Sequence, residues 1–71
     1  MTKTQEQHIL HIVIKGLTAA GYDPFAQLTG YMATGNTAYI TRKYGTRELA
    51  ATLPRTVIQN YLAKHSQAKT A

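Results

Sequence analysis

The constraint that dominates this chain is the stretch Gly21-Tyr22-Asp23-Pro24, answered by Gly35-Asn36 eleven residues on from Pro24. An Asp side chain accepts a free backbone N–H at a helix start, and Pro suits the first helical position, where no donor is needed. Gly or Asn takes the left-handed conformation that closes a helix. The sequence therefore predicts a central helix over 24–34, with both ends marked.

On the N-terminal side, Leu10, Val13, Ile14 and Leu17 recur at helical spacing. Ile9, Ile12 and Ala20 widen that face, which predicts a helix over 4–20 that is buried on more than one side. Thr2 with Gln5, or Thr4 with Gln7, has the capping-box spacing, and Gly21 closes the helix. Gly16, unfavourable in a helix interior by about 1 kcal/mol relative to Ala, marks a close helix contact.

In the central helix, Phe25, Leu28 and Met32 share one face, flanked by Tyr31. Gly30 leaves room for another backbone, including that of a partner subunit. Residues 36–41 (Asn-Thr-Ala-Tyr-Ile-Thr) are too short for a helix and rich in β-formers, so an extended connecting segment is expected, with Tyr39 and Ile40 packing back on the helices.

Arg42-Lys43-Tyr44-Gly45 reads as a turn, and Thr46 as the cap of a short helix within 46–52. Pro54 disfavours the helical conformation at Leu53, which predicts a fourth helix over 54–64 with Val57, Ile58, Tyr61 and Leu62 on its apolar face. Lys64 would then complement the negative end of that helix, and residues 66–71 are expected to fray. The fold class is all-α: one domain over 1–71, a compact bundle of about four short helices with one extended connection.

A chain of 71 residues without cysteine has neither disulfides nor thiolate metal sites and hides a modest share of its surface, so self-association is expected. Hydrophobic residues at 44% of the chain, in periodic blocks, argue against wholesale disorder. With a polar start, His11 inside the apolar run 9–14 and no apolar stretch of spanning length, the reading is cytoplasmic, with no membrane insertion.

Eight Lys and Arg against three Asp and Glu give a formal charge of +5 and raise nucleic acid as a partner. The one tight basic group is Arg42, Lys43 and Arg47, too small for a groove-binding stripe.

Enzyme chemistry finds little to build on. Glu6, Asp23 and Glu48 are the only carboxylates, and all three suit helix first turns or caps. Gly30 and Gly35 are not followed by the Lys-Ser or Lys-Thr of a phosphate loop. His8 and His11, three apart, need a third ligand such as Glu6 or His65 to hold a metal. No catalytic residue, cofactor or metal is assigned.

Gly21-Tyr22-Asp23-Pro24, Gln27-Leu28-Thr29-Gly30-Tyr31, Gly35 with Ala38-Tyr39-Ile40, and Arg47 together resemble the IreB family of small regulatory phosphoproteins, chiefly over 16–47. The resemblance implies a helical, homodimeric, non-enzymatic protein in a cell-wall stress pathway governed by a membrane-anchored Ser/Thr kinase. Thr2 and Thr4 are the available phosphoacceptors, with helix capping the preferred reading of both, and Leu49 to Pro54 stands where the family has a charged run.

Five tyrosines, each an apolar body with a polar tip, suit a protein interface. The recognition or dimer surface is therefore placed at Tyr31, Met32, Tyr39 and Ile40, with Arg42 and Arg47 for an acidic partner or a phosphate. The function expected is a regulatory adaptor that binds proteins; the alternative is a small basic nucleic-acid-binding protein using the Arg42 to Arg47 turn.

Overall fold

Thr2 begins the first helix by satisfying two free donors at once. Its hydroxyl accepts the Gln5 N–H at 3.1 Å while the Gln5 side chain accepts the Thr2 N–H at 2.9 Å, so the capping box falls on Thr2 rather than Thr4. The computed structural model describes the backbone of residues 2–70 and the side chains of residues 2–65. Helix α1 (Lys3–Ala19) ends when Tyr22 N–H reaches the Leu17 carbonyl and Gly21 N–H that of Thr18, a Schellman closure with Gly21 at φ 91°.

Helix α2 (Pro24–Thr34) starts at Asp23, whose carboxylate accepts the Phe25 N–H at 3.1 Å, and stops at left-handed Gly35. Asn36 then opens a new element instead of an extended run. Its side chain accepts the Ala38 N–H at 2.9 Å and winds Thr37–Tyr39 into one 3₁₀ turn. The expected extended segment is thus a turn flanked by single extended residues, because an Asx contact offers this short stretch a local partner for its backbone.

A second 3₁₀ turn (Lys43–Gly45) leads into α3 (Thr46–Thr52). Thr46 is the first helical residue and not the cap: its hydroxyl donates to the Lys43 carbonyl at 2.7 Å, and Gly45 occupies the cap position. Leu53 is extended ahead of Pro54, and α4 (Arg55–Thr70) follows. This helix continues past Lys64, which therefore does not sit in its last turn. Residues 66–70 contain Gln, Ala and Lys and neither Gly nor Pro, so nothing in them breaks a helix, and their backbone is helical where a frayed tail was expected. Ala71 and the side chains beyond His65 lie outside the described residues.

The four α-helices leave no strand among the described residues. α1 packs chiefly on α3, and α2 on α4. A radius of gyration of 11.4 Å is what a closed 71-residue chain should have. The core draws on every helix: Leu10, Val13 and Leu17 from α1, Leu28 from α2, Ala50 from α3, and Val57 and Ile58 from α4, with Ile40 and Leu53 from the connections. α1 is buried on one face only. Ile12 lies exposed, because all three other helices dock on the side that carries Val13 and Leu17.

Two helical glycines explain how closely the pieces approach. A side-chain carbon on Gly16 would run into the buried side chain of Thr46, which lets α1 and α3 touch almost backbone to side chain. A side-chain carbon on Gly30 would meet the ring of Tyr39. The space left by Gly30 is thus filled from within the chain rather than by a partner's backbone.

Candidate interaction surface

The connection between α2 and α3 gathers most of the residues singled out for recognition. Tyr39 lays its ring over Gly30 and stays 42% exposed. Ile40, next to it, is fully buried and belongs to the core, so it offers no side chain to a partner; its β-branched side chain points in as the 3₁₀ turn points Tyr39 out. Arg47 reaches back from α3, and its Nε donates to the Ile40 carbonyl at 2.9 Å, so part of its guanidinium is occupied in holding the connection. Arg42 is exposed, and no hydrogen bond or ion pair engages its guanidinium among the described residues. With Gly45, Arg47 and Glu48 it encloses a notch of about 90 Å³.

Tyr44 stands out on this segment. It is a non-glycine residue at φ 61° and 69% exposed, so a bulky side chain is held outward on a backbone conformation that ordinarily favours glycine. Tyr31 and Met32 are half-buried at the edge of the core, away from solvent on one side.

Sequence reasoning missed Arg55. Its Nη2 donates to the Met32 carbonyl at 3.0 Å, closing the C-terminal end of α2 from the first turn of α4. A signal was present: a cation in a helix first turn is out of place against the helix dipole unless it serves the negative end of another helix.

Thr4 lies exposed in the first turn of α1, and its hydroxyl has no partner among the described residues, whereas that of Thr2 is engaged in the cap. His8 and His11 are exposed, and no group of three or more His, Cys, Asp or Glu gathers among the described residues. Asp23 is committed to the start of α2.

Tyr61, half-buried on α4, meets the His65 ring in a tilted contact with ring centroids 4.1 Å apart. Burial, and then the negative charge of Asp23, push its phenol above the usual tyrosine value of 10.0. Because the folded value is raised, the neutral phenol's contribution is fully present below pH 10 and is lost as pH climbs through the folded value. A Tyr61→Phe chain should lose less stability than the parent as pH rises above 10.0 in urea titrations followed by circular dichroism. Identical alkaline slopes would remove Tyr61 from this account.

These features define the class: a small all-helical domain whose α2–α3 connection carries exposed Tyr39, Arg42, Lys43 and Tyr44, and in whose described residues no helix is long and apolar enough to cross a membrane. The model of the IreB regulatory phosphoproteins matches residues 1–68, far beyond the central stretch that carried the resemblance. The chain belongs to the IreB family, and that membership points to a regulatory role.

Proposed function

We propose that this chain is a cytoplasmic regulatory adaptor that acts as a homodimer by binding other proteins, and that a Ser/Thr kinase controls it. The observation that carries the reading is the α2–α3 connection, where exposed Tyr39 and Tyr44 stand beside unpartnered Arg42. Rigid aromatic bodies and Arg are the residue types that anchor protein interfaces.

The recognition face comprises Tyr39, Tyr44 and Arg42, with the half-buried Tyr31 and Met32 at its margin and the free end of the Arg47 guanidinium beside the notch. An acidic side chain or a phosphate on a partner is the complement of Arg42 and Arg47. Ile40 supports this face from below without touching the partner. Of the two threonines, Thr4 is the better phosphoacceptor, since its hydroxyl is free and a phosphate in the first turn meets the positive end of α1.

Sedimentation at low and high salt, alone and with a mixed-sequence oligonucleotide, tests the reading. A dimer that persists across salt and ignores the oligonucleotide is expected, because aromatic and aliphatic burial is little screened. A monomer that co-sediments with the oligonucleotide only at low salt would overturn it, since about three phosphate contacts give a log–log salt slope of roughly −2 to −3.

A further inference from the structure

A concavity of about 580 Å³ lies away from that face, between the first turns of α1 and the C-terminal half of α4. Its polarity is graded. Leu10 and Val57, both buried, and half-buried Tyr61 form its inner lining; the exposed amides of Gln7 and Asn60 and the exposed Lys3, Lys64 and His65 form its walls and rim. Lys3, Gln7 and Leu10 lie at i, i+4, i+7 on α1, and Val57, Tyr61 and Lys64 repeat that pattern on α4, so the two helices face each other in matching order.

No hydrogen bond or ion pair engages the side chains of Lys3, Gln7, Asn60 or Lys64 among the described residues. Among the described residues, no carboxylate lines the groove. Asp23, whose charge reaches Tyr61, is already engaged in capping α2.

From this grading we infer that the groove is a second binding site, which takes a short acidic peptide segment of a partner protein with an apolar side chain as its anchor. The anchor sits on Leu10 and Val57, the rim cations meet the acidic side chains, and the wall amides serve the peptide backbone, since Gln7 and Asn60 each both donate and accept. Paired amides beside an apolar floor favour a peptide over a simple acyl chain, which has no backbone groups to satisfy. A volume within the usual range of ligand clefts suits a few residues of such a segment.

The choice of a peptide as ligand rests on the protein-binding reading above, whereas the residues involved are separate from its Tyr39 and Arg42 face. The probe is the acetylated, amidated hexapeptide Glu-Asp-Leu-Phe-Glu-Asp, titrated into ¹⁵N-labelled protein, with a control in which every acid is lysine. Shifts confined to residues 3–10 and 57–65 are expected, together with weak or no binding of the control. K3E/K64E should weaken binding about tenfold, by charge repulsion at the rim, and R42A should leave it unchanged. Both Lys positions are exposed, and Glu suits the first turn of α1, so the double variant should keep its circular dichroism spectrum.

Shifts centred on 39–47, equal binding of the lysine control, or full binding by K3E/K64E would each overturn the groove. A dimer in sedimentation with no peptide binding would sink the groove alone; groove binding by a salt-insensitive monomer would sink the dimer and leave the groove standing.

Discussion

An Ile40→Ala chain should lose about 2–5 kcal/mol of unfolding free energy, the usual cost of emptying a filled core position. Ile40 is fully buried, and it is the one buried residue supplied by the α2–α3 connection before α3 begins. Stability of about 0.05–0.15 kcal/mol per residue puts the whole domain on the order of 4–11 kcal/mol. The substitution therefore removes a large share of it, and some of the chain should be unfolded at 37 °C. Urea unfolding followed by circular dichroism measures the loss. A change below about 0.5 kcal/mol, coupled to weaker self-association, would return Ile40 to the surface and contradict its burial. Tyr39→Ala should do the reverse, costing little stability and acting on association, since its ring is already half in solvent.

Gly16→Ala and Gly30→Ala should part ways although both replace a glycine inside a helix. Each gains about 1 kcal/mol of helix propensity. At Gly30 the atoms nearest the added methyl belong to the ring of Tyr39, a residue 42% exposed whose side chain makes no hydrogen bond among the described residues, so the ring should turn outward and the net effect should lie within about 1 kcal/mol of zero. At Gly16 it meets Thr46, which is 1% exposed and held by its hydrogen bond to the Lys43 carbonyl. Rotating Thr46 brings no relief, because its other branch and its Cβ are also within tight contact of the same point. Overpacking of this kind costs about 1–3 kcal/mol, so G16A should be destabilised and G30A should not. Adding T46A to G16A should recover part of the loss, and that coupling separates a steric clash from a general effect on α1. Equal stabilities for the two single variants would show that α1 and α3 do not meet at Gly16.

Local chemistry made the helices legible. Thr2 with Gln5, Asp23-Pro24, Gly21, Gly35 and Pro54 each act through their own few neighbours, by a side-chain oxygen, a missing donor or a left-handed backbone, and such effects need no distant partner. The apolar spacing likewise named Leu10, Val13, Leu17, Leu28, Val57 and Ile58 for the core, and the close contact at Gly16 could be read from a glycine placed where a helix does not want one. The motif from Gly21 to Tyr39 carried the family.

Only the tertiary arrangement decided the rest. Tyr39 and Ile40 are adjacent and similarly apolar, and their opposite fates follow from a 3₁₀ turn that aims one inward and lays the other over Gly30. Thr46 is a buried contact instead of a cap because α1 covers it. Arg47 reads as a contact for an acidic partner and Arg55 drew no reading, yet each gives a donor to a carbonyl outside its own helix, Ile40 and Met32, that would otherwise lack one. Ile12 is apolar and periodic but faces solvent, since burial is set by where neighbouring helices dock and not by the residue itself. Hydrogen bonds across 23 residues and contacts between helices depend on positions that no short stretch of sequence encodes by itself.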